Sequence, residues 1–269
     1  MVTNNKIRID KLLVDLGLFE SRERATTCIM SNGVKVDGQV INKPGHQINQ
    51  EVFHRNLEEN PNYLEVHDKM NEFVSRGAYK LKAAHEAWGL DFTDKTILDI
   101  GASTGGFTDY ALKHGAKKSI AIDVGQGQLH YKLRQDPRVL NFEETNFRSI
   151  EASFFEPLLK DSLISFVVID VSFISLITIL AKLKELSCQA NLFEPGMKVI
   201  ALIKPQFEAG KKIMDKCAGV IKDPEICKSV LEKTISEIQA LDFKVEGQIE
   251  SPIHGAKGNV EYLACLNIR

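Results

Sequence analysis

Four apolar runs between residues 96 and 204 constrain the fold of the chain most strongly. The runs are, in chain order, TILDI (96–100), KSIAIDV (118–124), LISFVVID (163–170) and KVIALIK (198–204). They lack the strict alternation of a strand with one face in water, which is typical of parallel strands covered by helices on both faces. Helices are predicted at about 104–114, 173–187 and 223–241. The sequence therefore predicts an α/β fold with a doubly wound, Rossmann-like sheet.

The end of the chain predicts two further strands. The segments are FKVEGQIESPI (243–253) and VEYLACLNI (260–268). They follow the last predicted helix closely, so we expect them to be neighbours in the same sheet, with the second able to run antiparallel.

One apolar stretch, from Leu163 to Ala181, is nearly long enough to cross a bilayer. Asp170 lies near its middle, where a carboxylate costs about 2.5–3.5 kcal/mol on insertion. A buried strand that ends at Asp170, followed by a turn and an amphipathic helix, accounts for the same sequence. The sequence therefore predicts no membrane span.

Composition indicates an ordinary globular protein, with 43% hydrophobic and 26% charged residues among 269. The chain has five cysteines, an odd number, and no two of them are spaced as CxxC. This argues against a disulfide framework and against a zinc site. The first residues lack an apolar segment of signal-peptide length. We therefore expect a cytoplasmic protein without a metal site.

The first 60 residues predict a small α+β module. One helix is predicted up to Gly17, a second between Ser21 and Gly33, and a hairpin around an Asp37-Gly38 turn. The polar stretch 54–72 has weak periodicity and predicts the boundary. We predict a module over 1–60, a linker over 61–74 and a large domain over 75–269, with Ser75 as the cap of the first helix of that domain.

The stretch DIGASTGGFTDY, from Asp99 to Tyr110, places three glycines between a predicted strand and a predicted helix. A Walker loop needs Lys and then Ser or Thr after its last glycine, and the dinucleotide fingerprint needs GxGxxG; neither pattern is present. Asp123, at the end of the next strand, can hold a ribose diol, so the pattern favours S-adenosyl-L-methionine. A tight turn without a ligand is the alternative.

Eight ordered blocks then show a resemblance to a known family. They are RIDKLLVDLGLFESRERA, SRGAYKL, DIGASTGGFTD, AIDVGQGQL, TNFR, IDVSFISL, LIKPQFEAG and HGAKGNVEYL. In this order they closely resemble the TlyA family. Its members are named hemolysins for historical reasons and methylate the ribose 2′-oxygens of ribosomal RNA. Ala78 departs from the pattern, where a second glycine is expected. The resemblance covers essentially the whole chain.

The resemblance implies an FtsJ-like catalytic domain that uses S-adenosyl-L-methionine, and an N-terminal αL RNA-binding module. It implies a Lys-Asp-Lys-Glu catalytic tetrad at Lys80, Asp170, Lys204 and Glu261. The expected cofactor-binding residues are Asp99, Gly101, Ala102, Ser103, Thr104, Gly105, Gly106, Phe107, Asp123, Val124 and Asn146. The partner is expected to be ribosomal RNA or a ribosomal subunit.

The residues support this tetrad, because Asp170 and Lys204 each close an apolar strand, where a charge is costly without a partner. Any one of them alone is better explained as a surface charge at the end of an element, whereas four such groups converging on one sheet edge favour a catalytic site. A ribose 2′-hydroxyl is a weak acid that needs a base. Our hypothesis is that Lys204 is the base, that Lys80 and Asp170 orient and tune it, and that Glu261 fixes the ribose.

The net charge of −2 gives no global reason to expect RNA, so binding must depend on local features. The candidates are Arg8, Lys11, Arg22, Arg24 and Lys35 in the module, and Lys211 and Lys212 in a lysine-rich loop after Lys204. On charge alone, a solvated basic face explains the module equally well. A membrane-active hemolysin, and an RNA-binding protein that keeps the fold without catalysis, are the alternative functions.

Overall fold

A computed structural model describes residues 6–19, 21–30, 33–66, 72–217, 219–255 and 258–268. The chain forms two compact units. The first contains Met1–Ser75 together with Gly127–Pro137, and the second contains Arg76–Gln126 and Arg138–Arg269. The predicted limits of module, linker and large domain stay predictions.

The first unit has two small antiparallel sheets and short helices. Its elements up to residue 66 are β1 (Lys6–Arg8), α1 (Ile9–Asp15), α2 (Arg22–Met30), β2 (Val34–Val36), β3 (Gln39–Ile41), β4 (Gln47–Asn49), α3 (Gln50–Glu59) and β5 (Leu64–Val66). Strand β1 pairs with β4, and β2 pairs with both β3 and β5.

The predicted helices and hairpin of this unit are present. Helix α1 buries Ile9, Leu12 and Leu13 and is followed by Gly17 at φ +71°. Asp37 and Gly38 both have positive φ, 51° and 72°, which is the conformation of a type I′ hairpin turn.

The stretch 54–72, where the boundary is predicted, contains regular structure that the sequence pattern did not indicate. Residues up to Glu59 belong to α3, which buries Phe53 and Leu57 one turn apart. Leu64–Val66, inside the predicted linker, forms β5 and pairs with β2. Only two apolar residues of the helix are buried, and a three-residue strand is too short to show alternation, so the sequence pattern of this stretch looked polar.

The second unit is built on one seven-stranded sheet. From residue 78 onward the chain contains α4 (Ala78–Trp88), β6 (Thr96–Ile100), α5 (Gly106–Lys113), β7 (Lys118–Ile122), α6 (Tyr131–Arg134, in the first unit), β8 (Val139–Phe142), β9 (Ile164–Ile169), α7 (Leu176–Gln189), β10 (Phe193–Ile203), α8 (Pro205–Glu208), α9 (Lys211–Cys217), α10 (Pro224–Ala240), β11 (Phe243–Glu250) and β12 (Tyr262–Ile268).

The order of the strands confirms the predicted doubly wound α/β architecture. The order is β11-β12-β10-β9-β6-β7-β8, with β12 antiparallel to both neighbours and the five strands from β10 to β8 paired in parallel. The strand order reverses between β6 and β9. In such sheets, ligands bind at the carboxyl ends of the strands beside this reversal.

Local details differ from the sequence prediction at two elements of this unit. The four-residue strand β8 was not predicted, because only four residues carry its pattern. Helix α4 begins at Ala78 with Gly77 at its N-cap, so Ser75 does not cap it. Helix α10 begins as expected, with Asp223 accepting a hydrogen bond from Glu225 N at 2.9 Å and Pro224 in the first turn.

The segment Gly127–Pro137 lies between β7 and β8 in the chain but packs with the first unit. Tyr131 packs against the apolar core of that unit, and Leu129 and Leu133 are buried. Sequence patterning did not predict this, because four helical residues are too few to show which core they join.

The apolar stretch 163–181 forms β9 and the first part of α7, as predicted. Among the described residues, no helix has the length and apolar character needed to cross a membrane.

Candidate active site

The four predicted catalytic residues come from four elements of the second unit. Asp170 follows β9 and Lys204 follows β10, so both lie at the carboxyl edge of the sheet. Glu261 precedes β12, whose first residue pairs with Ile203 at the end of β10. Lys80 lies in the first turn of α4. The topology therefore gathers all four residues at one edge.

The side chains of the tetrad form a continuous charged network. Lys80 Nζ donates to Asp170 Oδ2 at 3.0 Å and to Glu261 Oε2 at 2.9 Å. Lys204 Nζ lies 2.6 Å from the other Asp170 oxygen, Oδ1. The Asp170 carboxylate thus bridges two ammonium groups.

The environment of the network fixes the charge of two of its members. Burial alone would lower the pKa of Lys80, but Asp170 and Glu261 outweigh it and the pKa is raised. Burial would likewise raise the pKa of Asp170, but Lys204 and Lys80 lower it. Lys80 is therefore an ammonium and Asp170 a carboxylate at neutral pH, which leaves Lys80 unsuited to act as a base.

Sequence reasoning missed two polar contacts of the tetrad. Ser172 Oγ accepts a hydrogen bond from Lys204 Nζ at 2.7 Å. Gln206 Nε2 donates to Glu261 Oε1 at 3.3 Å. Ser172 lies in the block IDVSFISL and Gln206 in the block LIKPQFEAG. Membership in these blocks was the sequence signal that could have marked both residues as part of the site.

Two aromatic residues beside the tetrad were also missed. Phe173 is 92% exposed and has φ +63°, an unusual conformation for a bulky residue. Its ring lies 5.2 Å from the ring of Phe207, and Lys204 Nζ lies 5.9 Å from the Phe207 centroid. An aromatic pair, with Phe173 exposed and Phe207 half-buried, therefore lies beside the proposed base.

The glycine turn lies at the carboxyl end of β6, next to the same edge. Gly101 has φ +83°, and a Cβ atom there would lie 2.6 Å from the carbonyl oxygen of Asp170. Gly105 also has a positive φ, 89°, where α5 begins. The glycines thus allow the turn to pass closely over the chain that carries Asp170.

Asp99 lies beneath this turn and is fully buried. Its Oδ2 accepts hydrogen bonds from Thr108 N at 3.1 Å and Thr108 Oγ1 at 2.7 Å. Burial raises the pKa of Asp99 to about 7, although the Thr108 hydrogen bonds oppose the shift. The predicted contact of Asp99 with a cofactor needs revision, since its carboxyl group is directed to the first turn of α5.

We expect the free energy of unfolding to depend on pH because of the buried Asp99 carboxyl group. Its folded pKa, about 7, exceeds the ordinary value of 3.8, so it favours the folded state most below pH 4. That contribution is lost as the pH rises towards 7, by up to about 4 kcal/mol. Asp99→Asn should therefore remove part of the fall in stability between pH 4 and 8, measured by urea unfolding. The same pH dependence in both proteins would contradict this assignment.

Asp123 connects the glycine turn to the loops after β7 and β8. Its oxygens accept hydrogen bonds from Ser103 N and Gly125 N, each at 2.7 Å, and its carbonyl oxygen accepts one from Thr145 N at 2.9 Å. The next residue, Val124, is 70% exposed. A partly exposed carboxylate beside an exposed apolar side chain suits an adenosine, which has a ribose diol and a flat apolar base.

The remaining predicted cofactor residues lie around these loops. Asn146 is exposed, follows Thr145 and accepts a hydrogen bond from Arg148 N at 3.1 Å. Ala102, Gly105, Gly106 and Phe107 are buried in the turn, whereas Ser103 is exposed and Thr104 half-buried. Their contacts with a cofactor stay a prediction.

In the first unit, a buried carboxylate arranges two of the predicted RNA-binding residues. Asp10 is 2% exposed and accepts hydrogen bonds from Arg8 Nε and Nη2 at 3.0 and 2.8 Å and from Arg22 Nη2 at 2.9 Å. The hydrogen bond with Arg8, helped by Arg22, lowers the pKa of Asp10 to about 2. The two guanidinium groups are thus held side by side while about half of each side chain is exposed.

The other basic candidates are placed less uniformly. Lys11 and Arg24 are exposed, and Lys35 Nζ pairs with Glu65 at 3.1 Å. Lys211 and Lys212 begin α9, and their side chains lie outside the described part of the chain. Across the described residues, no group of three or more His, Cys, Asp or Glu side chains is placed to hold a metal ion.

Comparison with known proteins agrees with this geometry. The FtsJ-like methyltransferase family matches residues 73–268, and the S4 domain matches residues 7–52. The TlyA rRNA (cytidine-2′-O)-methyltransferase of Mycobacterium tuberculosis is 36% identical over 97% of this chain and 90% of its own. The chain belongs to the TlyA family of FtsJ-like methyltransferases.

Two further relatives of this TlyA-family protein have hemolysin names. Hemolysin A of Brachyspira hyodysenteriae is 40% identical over 96% of this chain and 98% of its own. A solved structure from Streptococcus thermophilus, provisionally named a hemolysin, is 39% identical and covers 99% of this chain and 90% of its own, with a TM-score of 0.67. The names differ although the similarity extends along the whole chain in both cases.

Proposed function

We propose that this protein transfers a methyl group from S-adenosyl-L-methionine to the 2′-oxygen of a cytidine in ribosomal RNA. The observation that carries the proposal is the Lys80–Asp170–Lys204 network at the carboxyl edge of the sheet. We propose cytidine as the target nucleotide because the names of the relatives specify it. We expect the protein to act in the cytoplasm, on ribosomal RNA or ribosomal subunits.

The proposed cofactor site is the edge between the glycine turn and the loop after β7. Asp123 would hold the ribose of the cofactor, Val124 would contact its adenine, and exposed backbone of the turn near Ser103 would contact its amino-acid part. When bound, S-adenosyl-L-methionine supplies an activated methyl group.

Lys204 is the proposed base for the 2′-hydroxyl. Of the two lysines, Lys80 is held by two carboxylates, whereas Lys204 has one carboxylate and one hydroxyl as partners. Asp170 fixes the position of Lys204 and stabilises the ammonium that forms after proton transfer. Holding the 2′-hydroxyl in line with the methyl group increases the rate of methyl transfer further.

The role of Glu261 in this proposal differs from the hypothesis that it fixes the ribose. Glu261 is 3% exposed, and its two oxygens already accept hydrogen bonds from Lys80 and Gln206. It is therefore better suited to hold Lys80 in place. The exposed Phe173 and the half-buried Phe207 beside it offer a surface on which the target base can stack.

RNA binding by the S4 domain is proposed to depend on Arg8 and Arg22. Asp10 arranges their guanidinium groups before RNA arrives, which lowers the entropy lost when they contact phosphates.

Arg8→Ala and Arg22→Ala should each weaken binding to ribosomal RNA about tenfold, because each removes one charge-assisted hydrogen bond to phosphate. Each should also reduce the slope of log affinity against log salt by about one. Arg55→Ala is the matched control, since Arg55 is an exposed arginine of the same unit. Equal effects of all three variants in a fluorescence-anisotropy salt series would contradict a specific role for the pair.

Transfer of tritium from labelled S-adenosyl-L-methionine tests the proposed function. We expect label in ribosomal RNA, presented naked or within isolated subunits, and no lysis of red cells by the same preparation. Lysis without label would favour the membrane-active alternative. Binding of RNA without label would favour a protein that keeps the fold without catalysis.

A further inference from the structure

Ser172 has no role in the tetrad, yet it contacts the proposed base. Its Oγ lies 2.7 Å from Lys204 Nζ, and Asp170 Oδ1 lies 2.6 Å from the same nitrogen. The Lys204 side chain is only 9% exposed, whereas Ser172 is an exposed residue. Ser172 is therefore more accessible from solvent than the Lys204 side chain it contacts.

The loop that carries Ser172 is held at its far end. Glu208 accepts hydrogen bonds from Ser175 Oγ at 2.6 Å and from Leu176 N at 2.7 Å. Ser175 also caps α7 through Ile177 N, at 3.2 Å. With Asp170 fixed by the two lysines, the Ser172 hydroxyl has a defined position, as a group that takes part in proton transfer requires.

A serine hydroxyl can donate one hydrogen bond and accept others at the same time, whereas a carboxylate only accepts. Ser172 can therefore give its own proton to a neutral Lys204 amine while it accepts one from a substrate. Asp170 cannot do this at neutral pH, because its carboxylate carries no proton and accepts from both lysines.

We propose that Ser172 relays the proton of the target 2′-hydroxyl to Lys204, an inference that rests on the proposed function. The 2′-O–H bond breaks and its proton bonds to Ser172 Oγ, while the Ser172 proton bonds to the lone pair of the Lys204 amine. Ser172 ends as a hydroxyl and Lys204 as an ammonium beside Asp170. The electron pair left on the 2′-oxygen forms the bond to the methyl group, whose former bonding pair stays with the sulfur.

The relay is tested with Ser172→Ala, Ser172→Thr and the control Ser153→Ala, which changes another exposed serine of the same unit. In single turnovers at saturating RNA, Ser172→Ala should lower the rate of methyl transfer at least about tenfold, part of the 10²–10⁴ range of acid–base effects. Ser172→Thr keeps a hydroxyl and should restore most of the rate. Affinities for ribosomal RNA and S-adenosyl-L-methionine, measured at equilibrium, should be unchanged in every variant.

Rates in mixtures of light and heavy water separate a relay from a positioning effect. Two protons move in the relay, so the single-turnover rate of the unaltered protein should depend on the deuterium fraction along a curve. A straight line for the unaltered protein, an unchanged rate in Ser172→Ala, or a loss confined to RNA or cofactor affinity would each overturn the relay. No ribose methylation by the unaltered protein would contradict the proposed function itself, and the inference with it.

Discussion

Replacing Lys204 by methionine should lower the rate of methyl transfer at least about a hundredfold, because the variant has no base for the 2′-hydroxyl. Methionine fills a similar volume, and Asp170 keeps its hydrogen bond from Lys80, so we expect the site to stay folded. The affinity for S-adenosyl-L-methionine should be unchanged, since Lys204 does not belong to the glycine turn or the Asp123 loops. Single-turnover kinetics and calorimetric binding measure the two quantities separately.

Lys198→Met is the matched control for this prediction. Lys198 lies on the same strand, β10, and pairs with Glu246 at 2.8 Å at some distance along the strand from the tetrad. Its replacement should leave methyl transfer unchanged. Near-normal turnover in Lys204→Met, or a similar loss in both variants, would remove Lys204 from the role of base.

Replacing Lys80 by methionine should lower the free energy of unfolding by about 3–5 kcal/mol, the usual cost of breaking a buried ion pair from one side. Glu261, only 3% exposed, would keep the hydrogen bond from Gln206 but lose its cationic partner. Methyl transfer should fall as well, because Asp170 would be held by one lysine instead of two. Chemical unfolding at neutral pH measures the loss of stability.

The double variant Lys80→Met with Glu261→Gln separates this cause from lost packing. It removes both buried charges, so it should be more stable than Lys80→Met alone. Lys182→Met is the control, since that lysine is equally buried but pairs with Glu185 and Glu151, both largely exposed. We expect a loss of about 1 kcal/mol there. Equal losses for Lys80 and Lys182 would show that the tetrad charges are not coupled as described.

The large domain could be predicted from sequence because its strands are apolar on both faces and its helices have clear end signals. Asp223 and Pro224 mark the start of α10, and Gly89 marks the end of α4 in a left-handed conformation. The short strands β5 and β8 could not be predicted in this way. Their stability comes from pairing with strands distant in sequence, a tertiary effect that local patterns do not record.

The candidate site was predicted largely through the resemblance to a family, and its physical logic became visible only in the structure. Lys80 and Glu261 are 181 positions apart, and no spacing rule connects them. Ser172 and Gln206 looked like ordinary polar residues of loops until their contacts with the tetrad were known. Asp99 was predicted as a ligand contact, but its burial directs it to Thr108.

The nature of the methylated atom tests the account most directly. Ribosomal RNA treated with the protein and S-adenosyl-L-methionine is digested to nucleosides and analysed by mass spectrometry. The account predicts a new 2′-O-methylated nucleoside with the unaltered protein and none above background with Lys204→Met. A methyl group on a base, or the same 2′-O-methyl yield from both proteins, would contradict it.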